Sequence, residues 1–397
     1  VNVTSCGVLG QNDTYYYLNM SLSFPGVTCF TITGNNTVLD GESMQTLVGN
    51  NTPGTAGVIV LGKNVTVKGL NISSADVGIL LNGAPNATIT LNYINNSAHH
   101  AVLLNLSSSS KVTQNILSYP NFYGVLLELS SYNIVQNNLV LGREAFGGAS
   151  LTGIGLSTSW GNTISDNTIF NFVFGVGLQF SADNYFTRNV ITGTTYNGIY
   201  LFYNTGLANF FNHNRVLNSQ KSAIFINNTN ETILNNMSVI NTNSYYYDLE
   251  TVTVPTKIKF TDTYLRAYSF NITNAIFRNT GNAWINFTQN LDSSGSNLSS
   301  DIRLGVNYVE VNSALRPGLN KPAFITFEGL SQNFANPSIL RNGQPCPSNI
   351  CTALTSLNAG TVIFSVTSWT NYSIGSVSAA PPQMISLRLD RSNSAAR

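Results

Sequence analysis

A short motif that recurs through the first half of the chain constrains the fold most. Each copy starts with a glycine or alanine, continues with alternating apolar residues, and is followed by a second short apolar run after an Asn, Gly or Ser turn. Successive copies lie 21–29 residues apart. Units of this length without helical periodicity predict an all-β chain whose coils stack as a parallel β-helix. The motif begins at Gly57, Gly78, Ala101, Gly124, Gly153, Gly175, Gly198 and Ala223.

One asparagine in each unit gives a second marker of the repeat. Each of these asparagines lies three residues after an apolar residue. Asparagine amides can hydrogen-bond from coil to coil, and asparagine tolerates the left-handed backbone of a tight turn. We therefore predict an asparagine ladder, in which Asn236 carries no glycan although it lies in a glycosylation sequon. The predicted ladder comprises Asn92, Asn115, Asn137, Asn167, Asn189, Asn214 and Asn236.

The sequence divides into four segments. Residues 1–54 are expected to form an N-terminal cap and first coil, and residues 55–244 the parallel β-helix. Residues 245–378 have longer alternating runs and a hairpin signal at Asn342-Gly343, which predicts a β-sandwich-like module. Residues 379–397 contain a proline-rich linker and a single strand-like run.

The strand-like run near the C-terminus needs a partner. A lone strand is not stable in water, so it must join a sheet of its own chain or of a neighbouring subunit. Strand addition to a neighbour is one route to filaments. Both docking modes remain open from the sequence. The predicted assembly strand comprises Met384, Ile385, Ser386, Leu387, Arg388 and Leu389.

Composition excludes several classes of function. Charged residues make up 9% of the chain, against about 25% in ordinary soluble domains. With a net charge of +1 and no basic stripe, nucleic acid is not an expected partner. No run of 18 apolar residues predicts a membrane span. No metal site and no cofactor other than covalent N-glycans are expected.

The four cysteines fall into two local pairs. Three pairings are formally possible, and zinc ligation is an alternative to disulfides. The local pairing, Cys6 with Cys29 and Cys346 with Cys351, fits the spacing best. Disulfides persist in oxidising compartments, so this pairing favours a secreted, extracellular or cell-surface protein.

Glycosylation sequons support the same location. Ten lie in residues 1–105, seven in residues 227–371, and none in residues 106–226. Glycans obstruct packed contacts, so the sequon-free middle coils are a candidate protein contact face; chance is the alternative. Glycans are predicted at Asn2, Asn12, Asn19, Asn35, Asn50, Asn64, Asn71, Asn86, Asn95, Asn105, Asn227, Asn230, Asn271, Asn286, Asn297 and Asn371.

The repeat units resemble a known family. Their G-[IV]-x-L and I-x-x-N-x-I segments are similar to those of pectin-lyase-like β-helix proteins of the NosD-like, carbohydrate-binding and sugar-hydrolase class. The segment CFTITGNNTVLDG, from Cys29 to Gly41, resembles the opening coil of archaeal secreted members, and NGQPCPSNIC, from Asn342 to Cys351, is similar to part of archaeal cell-surface modules. The resemblance covers nearly the whole chain and implies a right-handed β-helix at a cell surface. It does not imply one function, because this fold hosts lyases, epimerases, adhesins and structural proteins.

One constellation of charged residues tests the enzyme interpretation. The repeat register places Asp166, Arg188 and His213 on consecutive coils, roughly 5 Å apart. A carboxylate, a guanidinium and an imidazole in a row can abstract a proton and stabilise an enolate. The alternative is an exposed ion pair beside a histidine. Because a second acid or metal ligand is missing, we expect no catalytic site.

These observations predict an extracellular structural glycoprotein that self-associates into a filament or surface layer, with an extracellular polysaccharide as a possible further partner. One alternative is a polysaccharide lyase, epimerase or hydrolase. The other is a glycan-binding adhesin, which predicts exposed aromatic side chains in a cleft. Candidates for such a cleft are Tyr119, Phe122, Tyr123, Phe146 and Tyr203.

Overall fold

The computed structural model describes residues 1–42, 44–143, 151–204, 206–241, 246–252, 256–331 and 333–376. The predicted parallel β-helix is confirmed: three sheets of short parallel strands run along the coils, and each strand pairs with its counterparts in the coils before and after it. Strands are numbered below in chain order.

The first sheet supplies one side of every coil. Its parallel strands are β1 (Asn2–Val3), β3 (Tyr15–Leu18), β6 (Val38–Asp40), β9 (Thr66–Lys68), β12 (Thr88–Thr90), β15 (Lys111–Thr113), β18 (Ile134–Gln136), β21 (Thr163–Ser165), β24 (Tyr185–Thr187), β27 (Asn209–Asn212), β30 (Glu231–Asn235), β33 (Lys257–Thr261) and β35 (Ile276–Asn279).

The second sheet has the longest strands and contains the candidate site. Its parallel strands are β2 (Gly7–Leu9), β5 (Phe30–Ile32), β8 (Ala56–Val60), β11 (Val77–Asn82), β14 (His100–Asn105), β17 (Tyr123–Glu128), β20 (Thr152–Ser157), β23 (Phe174–Gln179), β26 (Ile199–Phe202), β29 (Ile224–Asn227), β32 (Leu249–Thr251) and β34 (Tyr268–Ile272).

The third sheet closes each coil. It comprises β4 (Leu22–Ser23), β7 (Thr46–Val48), β10 (Asn71–Ser73), β13 (Tyr93–Asn95), β16 (Ile116–Ser118), β19 (Leu139–Leu141), β22 (Thr168–Phe170), β25 (Val190–Thr192), β28 (Arg215–Leu217) and β31 (Ser238–Ile240).

The core is built from stacked inward-facing side chains. In the second sheet, Val102 pairs with Val125, and Val125 pairs with Ile154; all three are fully buried. Burying an aliphatic side chain of this kind contributes about 1.5–3 kcal/mol. Because successive strand residues face opposite sides, the same register fixes which residues face outward.

The recurrent glycine of the sequence motif has a steric cause. A Cβ atom on Gly124 would lie 2.2 Å from Cγ1 of Val140 and 2.6 Å from the carbonyl oxygen of Gly153. The second sheet therefore approaches the third sheet too closely for most side chains at this point of the coil.

The solenoid is longer than the sequence repeat. Parallel pairing includes β2 and β5 within residues 1–54 and continues beyond residue 244 through β32, β33, β34 and β35. The boundary expected at residue 244 therefore falls inside the solenoid. The outer coils lack the regular glycine and asparagine spacing, so the motif marks only the middle of the stack.

Beyond the solenoid the chain forms an antiparallel module, in agreement with the predicted fold class. One layer extends the first sheet, and the other is a separate five-stranded sheet. Rings of Phe287, Phe364, Trp369 and Tyr372 pack between the layers. Its strands are β36 (Ala283–Phe287), β37 (Leu291–Gly295), which pairs with β34, β38 (Ile302–Gly305), β39 (Tyr308–Val311), β40 (Ala323–Phe327), β41 (Pro337–Arg341), β42 (Gln344–Pro345), β43 (Cys351–Ala353), β44 (Val362–Val366) and β45 (Asn371–Ser376). A four-residue helix, α1 (Leu298–Asp301), and a 3-10 turn (Pro317–Leu319) connect strands of this module.

Both predicted disulfides are confirmed. Cys6 is bonded to Cys29 with a Cα–Cα distance of 4.5 Å, which ties the first two strands of the second sheet together. Cys346 is bonded to Cys351 with a Cα–Cα distance of 6.0 Å. No cysteine of the chain is free.

Candidate functional site

A buried asparagine ladder runs along the turn between the first and third sheets. Oδ1 of Asn115 accepts hydrogen bonds from the backbone N–H and the side-chain amide of Asn92, at 3.0 and 3.1 Å. The same pattern repeats from coil to coil, so each buried amide is satisfied by the neighbouring coils. The ladder comprises Asn92, Asn115, Asn138, Asn167, Asn189 and Asn214.

Two members of the predicted ladder were wrong. Asn138 occupies the place assigned to Asn137, which is exposed with a positive φ of 56°. Asn236 is also exposed, and Met237 occupies the buried position after Asn214. The spacing of the repeat alone did not distinguish Asn137 from Asn138, because the two are adjacent and either one fits an approximate interval between coils. The expectation that burial keeps Asn236 free of a glycan is therefore withdrawn.

Two further polar ladders were missed in the sequence. In one, the backbone N–H of Asn133 donates to Oδ1 of Asn162 at 2.8 Å. In the other, the backbone N–H of Ser130 donates to the hydroxyl of Ser159 at 3.0 Å. Both ladders are detectable in the sequence, because an Asn or Ser recurs at a fixed position in successive repeat units. The ladders comprise Ser110, Asn133, Asn162, Asn184 and Asn209, and Ser107, Ser130, Ser159, Ser181 and Asn204.

The structure brings together two of the three charged residues predicted as a weak catalytic alternative. Arg188 binds Asp166 through two hydrogen bonds, from Nε at 2.7 Å and from a terminal nitrogen at 2.9 Å. This hydrogen-bonded guanidinium lowers the pKa of Asp166. The ring of His213 instead contacts Asn212 and Asn236, at 2.8 and 2.9 Å.

All three residues lie in an exposed turn column rather than in a cleft. Asp166, Arg188 and His213 each have a positive φ, near 55°, as the turn requires. The Arg188 side chain is 61% exposed. An exposed ion pair of this kind has little electrostatic effect on a bound reactant because water screens it.

A groove on the outer face of the second sheet is the better candidate site. One outward column of this sheet carries Leu126 and then Tyr200, but the two intervening coils carry Gly155 and Gly177. The missing side chains leave an open cavity of about 390 Å³. The cavity is lined by Tyr123, Leu126, Glu128, Leu151, Thr152, Gly155, Leu156, Ser157, Phe174, Gly177, Leu178, Gln179, Tyr200 and Phe202.

Aromatic rings form one part of the groove. The ring of Tyr123 covers Gly155, since a Cβ atom there would lie 2.4 Å from Cε1 of the tyrosine. Phe174 and Tyr200 have ring centroids 4.9 Å apart, and Tyr200 stacks on Phe225 in the next coil at 5.5 Å. Aromatic rings thus cover Gly155 and line the groove near Gly177.

Polar side chains form the opposite edge of the groove. Glu128 pairs with Ser157 in the next coil, and Ser157 pairs with Gln179 in the coil after it. Neighbouring strands lie about 4.8 Å apart, so these side chains form an evenly spaced row of hydrogen-bonding groups. Partial burial, together with the charge of Glu128, raises the pKa of Tyr123, which keeps its hydroxyl protonated at neutral pH.

Two histidines lie one coil before the groove. The ring of His100 is 5.3 Å from that of Tyr123, and burial lowers the pKa of His100 to about 4. His99 contacts the Asp76 carboxylate through Nδ1, and its ring packs against Phe122 at 5.0 Å. Because burial lowers its pKa to about 4, His100 is neutral at pH 7. No group of three or more potential metal ligands occurs in the part of the chain that the structure describes.

The aromatic residues predicted for a cleft have separate environments. Tyr123 lines the groove, whereas Tyr119 and Phe122 are exposed outside it. Tyr203 packs against Phe180 and Phe202. Phe146 lies outside the described residues, as does the predicted assembly strand at residues 384–389.

The sequon asparagines are exposed or half-buried. None of them belongs to a buried polar ladder, and Asn105 and Asn227 flank the groove in the same outward column as Glu128. The sequon-free segment from 106 to 226 includes every residue that lines the groove. Glycosylation itself stays a prediction. Among the described residues, no helix is long and apolar enough to cross a membrane.

The fold defines a β-solenoid protein with an open surface groove. A family model described as right handed beta helix region matches residues 5–142 and 140–262. These matches cover more than half of the chain, which therefore belongs to the right-handed β-helix family. No curated protein matches the sequence significantly.

Several solved structures resemble the chain at low sequence identity. The periplasmic alginate epimerase AlgG is 13% identical over 63% of this chain and 72% of its own, with a TM-score of 0.42. The A-module of the Azotobacter vinelandii mannuronan C-5 epimerase AlgE6 is 11% identical over 65% and 79%, with a TM-score of 0.49. The Dettilon tailspike protein is 12% identical over 92% and 86%, with a TM-score of 0.46. These values measure the similarity of the three proteins to this chain and do not assign an activity to the chain.

Proposed function

We propose that this chain is a glycan-binding β-helix protein that holds an extended polysaccharide in the groove of its second sheet. The carrying observation is the pair of outward glycines, Gly155 and Gly177, between aromatic rings and a row of polar side chains. Sugar rings present an apolar C–H face and equatorial hydroxyls. The aromatic side chains of the groove can pack on the C–H face, and Ser157 and Gln179 can hydrogen-bond to the hydroxyls.

The direction of the groove fits a linear polymer. Its lining spans the coils from β17 to β26, and each coil advances by about 4.8 Å. This advance is close to the length of one pyranose residue in an extended chain. Successive sugars of a bound polymer could therefore lie against successive coils.

We propose that binding occurs without cleavage. Most glycoside hydrolases use two carboxyl groups about 5–9.5 Å apart. Glu128 is the one acidic side chain among the described residues that line the groove. Incubation with neutral and uronate polymers, followed by assays for new reducing ends, unsaturated sugars and epimerised residues, tests this point. Any product formed by the wild type but not by Glu128→Gln would show that the groove is catalytic.

Binding is tested with matched aromatic substitutions. Tyr200→Ala removes a ring inside the groove, whereas Tyr185→Ala removes an exposed ring that stacks on Phe210 outside it. Affinity electrophoresis in gels containing soluble polysaccharides should show about tenfold weaker binding for Tyr200→Ala. Tyr185→Ala should bind as the wild type does. Equal binding by both variants would contradict a role for the groove.

A filling variant tests the groove by a different route. A Cβ atom on Gly177 would meet only the side chain of Thr152, with Cγ2 at 3.4 Å and Oγ1 at 4.0 Å, so a larger side chain is accommodated without a backbone clash. Gly177→Leu restores the leucine found at Leu126 in the same column. We expect this variant to fold normally and to lose polysaccharide binding.

A secreted, glycosylated state accompanies this proposal. The two disulfides support an oxidising compartment. Asn105 and Asn227 lie in the same outward column as Glu128 and Phe202, one coil before and one coil after the groove, so glycans there would flank it. Mass spectrometry of glycopeptides from the native source tests this arrangement.

Assembly into a filament or surface layer stays a separate prediction. It depends on the strand at residues 384–389, which lies outside the described residues. Deleting residues 379–397 and measuring particle size by light scattering tests it. If the shortened chain assembles to the same size as the full chain, strand exchange through this segment is excluded.

A further inference from the structure

We propose that the groove selects an uncharged hexopyranose polymer and disfavours polyuronates. This inference rests on the proposed glycan-binding function and narrows it to a substrate class. It follows from the charges around the groove rather than from its shape.

The described lining residues carry one charged side chain, the Glu128 carboxylate, and no cationic one. A polyuronate has a carboxylate on every sugar and would place like charges beside Glu128. Sites that bind carboxylates commonly use arginine or lysine to hold the anion. In this groove the row formed by Glu128, Ser157 and Gln179 supplies one anion and two neutral hydrogen-bonding groups.

Two titratable residues near the groove, Lys221 and His100, do not place a positive charge in it to offset the negative charge of Glu128. The ammonium group of Lys221 lies 3.7 Å from the ring centroid of Tyr196, which in turn packs against the groove residue Phe174. Neither Lys221 nor Tyr196 is among the residues that line the groove. His100 adjoins Tyr123 but is uncharged at pH 7, because burial holds its pKa near 4.

The shape of the groove favours the same class. Tyr123, Phe174 and Tyr200 line the groove with aromatic rings, and packing of such rings on the C–H groups of sugars needs no charge on the ligand. Gly177, above which the nearest atom to an added Cβ would be 3.4 Å away, lets a flat sugar ring approach the sheet closely. An uncharged polymer thus uses all of these contacts, whereas a polyuronate also meets repulsion.

The decisive experiment compares two ligands with one backbone: polygalacturonate and its fully methyl-esterified form. Isothermal titration with the intact protein at low and at physiological ionic strength gives both affinities, and a neutral β-glucan and β-mannan extend the set. We expect at least tenfold tighter binding of the best uncharged polymer than of polygalacturonate. Esterification should raise the affinity for the polygalacturonate backbone, and added salt should reduce that difference.

Matched variants assign the selectivity to the groove. Glu128→Gln removes the one negative charge of the described groove lining and should increase polygalacturonate binding several-fold at low salt, so that the preference for uncharged polymers narrows. Asp183→Asn makes the same change of charge in a turn outside the groove and should alter neither affinity.

The possible results separate the two proposals. If polygalacturonate binds as tightly as every uncharged polymer, and Gly177→Leu abolishes that binding, the groove binds glycans but the inferred substrate class is wrong. If no polymer of either kind binds at millimolar sugar, the glycan-binding function itself fails and the inference fails with it.

Discussion

Oδ1 of Asn138 accepts two hydrogen bonds from Asn115, one from its backbone N–H at 2.9 Å and one from its side-chain amide at 3.0 Å. The Asn138 amide also donates to the carbonyl oxygen of Val112 at 2.8 Å. One buried side chain thus satisfies three polar groups of the preceding coil. The residue before it, Asn137, faces solvent with a left-handed backbone.

This arrangement predicts opposite results for two neighbouring substitutions. Asn138→Ala leaves the Asn115 N–H and the Val112 carbonyl without these partners inside the core, and should lower the free energy of unfolding by about 1–3 kcal/mol. Asn137→Gly keeps the ladder and relieves a left-handed conformation, so it should be neutral or slightly stabilising. Urea denaturation of both variants measures the difference. A greater loss for Asn137→Gly would restore the register predicted from the sequence.

The sequence predicted the ladder but not its full register, for a physical reason. Local spacing fixes the coil within about one residue, whereas the choice between Asn137 and Asn138 depends on which backbone position is left-handed. That choice is made by hydrogen bonds between coils, which join residues 22–29 positions apart and which a single sequence does not display. The same argument applies to Asn236 and Met237.

The groove was not predicted, although its signal is present in the sequence. Gly155 and Gly177 stand where the preceding repeats carry apolar residues such as Leu126. A strand glycine usually indicates a bulge or weak packing. Only the outward orientation of this column shows that these glycines open a surface rather than loosen the core. Tyr123 was predicted for a cleft, but its role depends on the ring lying over Gly155.

His100 should make the protein less stable in moderate acid. Its folded-state pKa is about 4 instead of 6.5, because burial disfavours the charged ring. The unfolded chain therefore binds a proton first as the pH falls below 6.5. Stability should decline from pH 6.5 to pH 4 by at most about 3 kcal/mol and no further below pH 4 on account of this group.

Substitution isolates this contribution from that of other titrating groups. His100→Phe keeps a ring at the site and should remove this part of the decline in urea midpoints between pH 7 and pH 4.5. His213→Gln, which removes an exposed histidine, is measured in parallel as the control. An unchanged pH profile in His100→Phe would show that the buried ring does not couple protonation to unfolding.

The N-terminal disulfide should matter more for stability than the C-terminal one. Cys6 and Cys29 are 23 residues apart in the sequence, whereas Cys346 and Cys351 are 5 residues apart. In the chain-entropy model, a disulfide that closes the longer loop stabilises the folded state by about 3 kcal/mol, and one that closes the shorter loop stabilises it by less. Paired Cys→Ala replacements of each bridge, compared by thermal unfolding, measure the order. The reverse order would indicate that the smaller loop restrains the folded module rather than the unfolded chain.

Two glycines of strand β23 provide the sharpest test of the coil geometry. A Cβ atom on Gly175 would lie 2.2 Å from Cγ2 of Ile191 and 2.6 Å from the carbonyl oxygen of Gly198. On Gly177, two residues later, the nearest atom would be 3.4 Å away. Gly175→Ala should therefore cost about 1–3 kcal/mol through overpacking between the second and third sheets. Gly177→Ala should be neutral or stabilise the fold by about 0.4–1 kcal/mol, because alanine restricts the unfolded chain. Equal effects of the two substitutions in urea denaturation would mean that the second sheet does not approach the third as closely as the coil requires.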